Sequence, residues 1–213
     1  MLIRSHDAAL SDEEWKHFLL EHDFGQLIAP GNRRTVPVIV PVHFVYEWEG
    51  TILFHLARAN PVWEALAENP TAVMSVVGAY TYVPTYWNAG EGRPEEHGIP
   101  TSYYGAVQAT GSCEVVDEPE GIVAILQTQL AHFQPEGCYA TVTPHDLPYG
   151  PSLKAIRGVR LSIESIQAKF KFGGNKTVNH RLLIAEQLRE RGRARDLEAR
   201  RYLLARLPAT DGS

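Results

Sequence analysis

The sequence has two cysteines, Cys113 and Cys138, too far apart for a C-x-x-C redox or zinc element and too few for a disulfide framework. Both are expected to be reduced packing residues. No apolar run reaches the roughly 20 residues of a membrane-spanning helix, and residues 1–9 lack the apolar core of a secretory signal, so a cytoplasmic protein without a membrane anchor is expected. Excess positive charge is missing too. Against 25 Asp and Glu stand 20 Lys and Arg, a formal charge of -5 that repels a polyanion unless a basic patch is local. The glycine signatures G-x-G-x-x-G and G-x-x-x-x-G-K-[ST] do not occur, which argues against βαβ nucleotide folds. His97, His132 and His145 sit in unrelated segments without ligand spacing, so no metal site is expected. No serine lies in a nucleophile elbow, and no carboxylate pair stands out.

What is present is 213 residues, 44% of them hydrophobic, enough for one sizeable core and too apolar for general disorder. Ser11 and Glu14 have capping-box spacing, and Trp15, Phe18 and Leu19 then recur at helical intervals, predicting a short helix that ends near His22. From there the pattern turns to β-rich runs: Phe24 to Ala29, Val36 to Tyr46, Thr51 to Ala57, Ala72 to Tyr82, and Tyr103 to Val116. Between Val36 and Phe44 every second residue is apolar, while Pro37 and Pro41 fall on the other parity, so this strand belongs at an edge or carries a bulge. Glu47 to Gly50 reads as a turn, making Val36 to Ala57 an antiparallel hairpin. Asn60 followed by Pro61 opens a helix through Trp63 and Leu66, and Asp117 with Glu120 caps another through Ile122, Leu126 and Leu130. A strand from Val159 to Phe172 ends in a polar turn at Gly173 to Lys176, and Leu182 to Arg206 is helical with a break at Gly192. The expected fold is mainly β with peripheral helices, an antiparallel barrel. Residues 1–178 form the barrel domain and 179–213 a C-terminal helical extension packed on it.

Three elements carry chemistry. At His55-Leu56-Ala57-Arg58-Ala59-Asn60-Pro61 a strand end meets a helix start, where free amides and the Arg58 fork suit a phosphate; equally, Asn60 only caps its helix and Arg58 only pairs with a carboxylate. Tyr80, Tyr82, Tyr86 and Trp87, continued by Pro100-Thr101 and Tyr103-Tyr104, suit a flat heteroaromatic ligand, and also a barrel core or a dimer face. In the last strand Lys169 and Lys171 share one face beside Phe170 and Phe172 on the other, which attracts an anion or guards a sheet edge. The run Arg189 to Arg195 is the one local basic cluster; it either touches DNA phosphates or forms a solvated helix face diluted by Glu186, Glu190, Asp196 and Glu198.

Together the H-L-A-R-A-N-P stretch followed by Trp63, the Tyr82 to Trp87 segment with Pro100-Thr101 downstream, and the late K-F-K-x-x-x-N-K resemble the PaiB family of FMN-binding negative transcriptional regulators. The similarity runs from the first helix to about Arg181. The resemblance implies an FMN-binding split β-barrel related to pyridoxamine-phosphate oxidases and flavin reductases, acting as a homodimer with FMN at the subunit interface. It places His55, Arg58 and Asn60 near the FMN phosphate and ribityl chain, and Tyr82, Trp87 and Thr101 along the flavin. It makes Lys169, Lys171 and Lys176 anion-facing. The sequence departs from the family at Ser102-Tyr103 in the usual P-T-W-N-Y segment, at Gln108, at Gly173-Gly174 in place of Ser-Gln, and in an insertion at Gly90 to Gly98 carrying Glu91, Glu95 and Glu96. Alternatives to a regulator are an FMN-dependent oxidoreductase using a reduced nicotinamide and a cofactor-free dimeric binding module.

Overall fold

The computed structural model describes residues 1–90 and 92–208; Glu91 of the insertion lies outside the described residues. After a 3-10 turn (Ser5–Asp7) come α1 (Asp12–Glu21), β1 (Phe24–Ala29), β2 (Val38–His43), β3 (Val45–Glu47) and β4 (Thr51–Ala57). Then follow α2 (Val62–Glu68), β5 (Thr71–Val83), α3 (Thr85–Asn88), a second 3-10 turn (Glu95–His97) and β6 (Thr101–Val116). The chain finishes with α4 (Pro119–Phe133), α5 (Tyr149–Leu153), β7 (Ile156–Lys171), α6 (Val178–Arg191) and α7 (Asp196–Ala205). No helix is long and apolar enough to cross a membrane among the described residues.

The strands form one sheet in the order β2-β1-β5-β6-β7-β4-β3. Two compact units divide it, one of Met1–Trp15, Val77–Val107 and Ala168–Ser213, the other of Lys16–Val76 and Gln108–Gln167. Strands β5, β6 and β7 run from one unit into the other. The helices of the expected C-terminal extension fall in the first unit, with residues 77–107.

In the second unit β1 pairs antiparallel with β2 and β5, and β4 with β3 and β7. The expected hairpin is therefore only half present. β3 and β4 make it, around a turn in which Gly50 adopts φ 101° and donates to the Glu47 carbonyl. β2 leaves it to pair with β1, because the chain breaks at Phe44, whose amide donates instead to the Asp23 carbonyl at 2.8 Å. One residue thus separates the two strands at opposite ends of the sheet order. Consecutive Cα atoms are about 3.8 Å apart, so the sheet can satisfy this joint only by rolling until its ends meet. The result is the split antiparallel barrel. Pro41 sits on β2, an end strand in the order, where its missing N–H removes no ladder bond.

α4 closes this unit by setting Ile122 and Ile125 against Leu53, Val116 and Leu153. Its cap differs from expectation: the N-cap position is Glu118, with no side-chain bond, and Asp117 is drawn to arginines instead. α1 shows a similar shift, since the Glu14 carboxylate takes the Leu10 amide and the Arg206 guanidinium. Cys113 is buried as expected, whereas Cys138 is exposed, in a loop at φ 63°, and is no packing residue.

The β1–β2 loop is held by Glu68 at the end of α2, which accepts from the amides of Asn32 (2.8 Å) and Arg33 (3.0 Å) and from Arg34 (3.0 Å). The Arg34 bond, then the two amides, bring its pKa down to about 2. A lowered carboxylate contributes its stability above the usual value of 4.5, and that contribution fades as pH falls toward 2. At neutral pH, Glu68→Gln is expected to speed hydrogen exchange at the Asn32 and Arg33 amides without changing exchange in β5; unchanged rates at both amides would remove this clamp.

In the first unit Phe170 and Phe172 are fully buried and Tyr202 stacks on both at 6.0 and 5.6 Å. Lys169 and Lys171 take the opposite face of β7, as the alternation predicts. Gly192 ends α6 in the left-handed conformation (φ 58°), placing the helix break where the sequence puts it.

Candidate functional site

The corner built by H-L-A-R-A-N-P lies in the second unit. His55 Nδ1 donates to Gln129 Oε1 on α4 at 2.5 Å, so in the neutral ring Nε2 is left as an acceptor, unsuited to a phosphate oxygen. Asn60 acts as a cap: its Oδ1 accepts the Val62 amide at 3.0 Å, one residue later than the sequence suggests, with Pro61 before the helix. Arg58 is the most constrained. Its amide donates to the Ala155 carbonyl, Nε to Lys154 O (3.0 Å) and Nη2 to Ile156 O (3.3 Å), while Nη1 meets Asp117 at 3.0 Å. Its carbonyl partners are almost a hundred residues away in sequence, so no local signal announces them. An anion here has to compete with Asp117 for the one nitrogen that faces outward. The adjoining recess, of about 120 Å³, lies below the roughly 300 Å³ of ordinary ligand pockets, so it takes a head group and not a flavin ring.

The other six expected residues lie in the first unit. Lys171 on β7 donates to the Thr101 hydroxyl on β6 at 2.7 Å. The ammonium is half-buried, and among the described residues no carboxylate lies within ion-pair reach of it. Lys169 donates to the Leu2 carbonyl (2.9 Å) and sits 5.6 Å over the Tyr104 ring. Lys176 closes the polar turn with its amide on Gly173 O at 2.9 Å and depresses the pKa of nearby His180, whose own burial is the larger cause.

The aromatic segment is linked to Thr101 through α3. The Asn88 side chain donates to the Ile99 carbonyl, two residues before Thr101. Tyr80, Tyr82 and Tyr86 are about half exposed, so these three rings are not packed in the core. A bulge at Ala79 (φ 50°) buries both Gly78 and Ala79 and turns Tyr80 and Tyr82 outward together. Trp87 is different: the Arg191 guanidinium lies 4.4 Å from its ring centre.

Arg191 is the residue that sequence reasoning missed. Read as part of a basic run, it instead donates to the Tyr82 carbonyl (2.9 Å), Thr81 Oγ1 (2.8 Å) and the Asp196 carboxylate (2.7 and 2.8 Å). Asp196 is 1% exposed and also accepts from Thr81 and the Arg193 amide. Burial alone would raise its pKa; the bonds from Arg191, Thr81 and Arg193 outweigh it and bring it to about 2. Two more arginines of the run are engaged. Arg189 pairs with Glu186, and Arg195 lies over Tyr80 at 4.5 Å. A turn that brings Asp196 back five residues onto Arg191 leaves no periodic trace.

Two departures from the family pattern answer each other. Tyr103 stands where a smaller amide is usual, and its hydroxyl lies 2.3 Å from where a Cβ on Gly173 would be. Only a glycine, already at φ 73°, leaves that room. Burial pushes the Tyr103 hydroxyl up to about 12, so it stays neutral.

The first unit fits a flavin phosphate by its chemistry: the half-buried Lys171 ammonium, with no carboxylate in ion-pair reach among the described residues, a hydroxyl beside it, and exposed rings on the linked segment. The Arg58 corner accepts an anion only by displacing a carboxylate.

The family model described as "Putative FMN-binding domain" matches residues 1–165. The "Protease synthase and sporulation protein PAI 2" of Bacillus subtilis (strain 168) is 23% identical over 192 residues, covering 88% of this chain and 89% of that protein. The fold is similar to that of the FAD and heme binding protein from Mycobacterium smegmatis (TM-score 0.60, 17% identity, 82% of this chain and 78% of that one). It is similar also to a flavocytochrome from Azotobacter vinelandii (TM-score 0.54, 16% identity, 78% and 74%).

Proposed function

The chain belongs to the family of FMN-binding domains whose model its residues 1–165 match, and from that membership we propose that it is a PaiB-like FMN-binding protein that regulates transcription negatively as a homodimer. Tyr82 and Trp87 line the isoalloxazine, Thr101 and Lys171 meet the phosphate, and Lys169 and Lys176 add positive potential. A second copy of the chain completes the site. When bound, FMN supplies redox chemistry at its ring; this chain's residues bind and orient it.

The observation that carries this reading is Lys171. A half-buried cation costs desolvation that a neutral hydroxyl at 2.7 Å repays only in part, and an anionic ligand repays the rest. The name of the Bacillus subtilis relative, which refers to protease synthase and sporulation, is in keeping with regulation. Two proteins of similar fold are named for flavins.

Freshly purified protein is expected to show flavin absorbance, or to acquire it with FMN and gain about 2.7 kcal/mol of stability at a hundredfold excess over Kd. A colourless protein whose melting temperature ignores FMN would end the proposal. A salt-dependent gel shift on promoter DNA tests the regulatory half.

A further inference from the structure

We infer that Arg191 is a positioning residue of the flavin site: from the end of α6 it holds the Trp87 ring in one orientation before the isoalloxazine arrives. The inference rests on the flavin reading and adds to it a residue from outside the matched segment, since α6 and α7 lie beyond residue 165. Two of the residues proposed to line the ring, Tyr82 and Trp87, meet on this one side chain. Arg191 donates to the Tyr82 carbonyl at 2.9 Å and lies 4.4 Å from the centre of the Trp87 ring.

Trp87 needs support from outside its own helix. α3 has four residues and no side-chain bond at its N-cap, and a helix that short does not hold itself in water. Its backbone is fixed by the returning loop: the Asn88 side chain donates to the Ile99 carbonyl, and a Cβ on Gly98 would fall 1.9 Å from the Thr85 carbonyl oxygen. The half-buried indole is a separate matter. Tyr86 meets it edge-on at 6.1 Å, and that ring is itself half exposed, so it confines the indole weakly. Arg191 is held far more firmly. Nε donates to Asp196 Oδ2 (2.8 Å), Nη2 to Asp196 Oδ1 (2.7 Å) and Thr81 Oγ1 (2.8 Å), and Nη1 to Tyr82, so every nitrogen of the guanidinium is committed. Bonds of this kind run in the guanidinium plane and leave its flat face for an aromatic ring. A lysine carries a point charge on a flexible stem and cannot hold three partners and a ring at once. The C-terminal helices therefore reach the aromatic segment through one planar group, clamped by a carboxylate that is 1% exposed.

The test is fluorescence titration of the full chain with FMN and with riboflavin, well below the melting transition of each variant. Arg191→Lys keeps the charge and loses the fork, and it should weaken both flavins by the same factor, roughly two- to tenfold, the scale of ordering one side chain on binding. A contact to the phosphate would spare riboflavin. Because Arg191 acts through the indole, Arg191→Lys in a Trp87→Leu background should cost no further FMN affinity. Thr81→Val removes one anchor of the guanidinium and leaves the Asp196 pair, so it carries the same test with a smaller factor if Arg191→Lys does not fold. Unchanged affinity for both flavins in the folded variant overturns the inference, as does an equal loss with and without Trp87, which would mark a merely structural role. Either result leaves the flavin reading in place. A wild-type chain that binds neither flavin ends both.

Discussion

Replacing Lys171 by methionine is expected to weaken FMN binding about ten- to a hundredfold, the scale of a charge-assisted hydrogen bond, and to leave thermal stability unchanged or slightly raised. The two effects part company for one reason. Among the described residues the ammonium has a hydroxyl partner and no carboxylate in ion-pair reach, so its removal lifts a desolvation cost; with FMN bound the same group would balance a phosphate. Thr101→Val should lose less, because it removes one neutral bond. Fluorescence titration with FMN and with riboflavin checks this. The deficit should be large for FMN and small for riboflavin, which lacks the phosphate. A Lys171→Met protein that binds FMN as tightly as the wild type would remove this residue from the site.

The second large effect is expected at Asp196. Asp196→Ala leaves Arg191 without its carboxylate while the guanidinium is still held against Tyr82, Thr81 and Trp87. Breaking one side of a buried pair costs about 3–5 kcal/mol, which in a chain of this size lowers Tm by roughly 6–20 °C. The pH dependence has a definite sign. Because the folded pKa is depressed to about 2 from 3.8, the contribution is complete above 3.8 and disappears as pH falls toward 2. Thermal melts of wild type and Asp196→Ala should therefore converge as pH drops through that window. Melts that stay equally far apart from pH 6 to pH 2 would assign the loss to packing. Loss of the cation over Trp87 should also alter its indole emission, an independent reading of the same contact.

Much of the fold was legible because strand periodicity is written locally. β1 and β4 begin and end where the sequence suggests, Pro41 of β2 announces an end strand, and Gly192 marks its own turn. What periodicity cannot write is the partner. Nothing in Val36 to Tyr46 says that pairing changes at Phe44, and the Arg58 carbonyls, the Glu68 amides and the Asp196 pair all come from elsewhere in the chain or around a turn. For the candidate site the consequence is specific. Residue type and the resemblance singled out Lys171 and Thr101 separately, and only the structure brings them together in one hydrogen bond. Residue type left Arg58 open between a phosphate and a carboxylate, and the structure identifies the carboxylate as Asp117. Arg191, grouped with neighbours of like charge, belongs to the aromatic segment and not to a basic surface.

The single residue between β2 and β3 has one more effect. An open sheet ends in two rows of unsatisfied amides and carbonyls at which a foreign strand can add, a common start to aggregation. Here both rims belong to strands tied through Phe44, and Pro41 deletes a donor from one of them. An intruding chain would have to pry apart a covalent clasp before it found a template, so the same joint that closes the sheet also protects it from templated fibril growth.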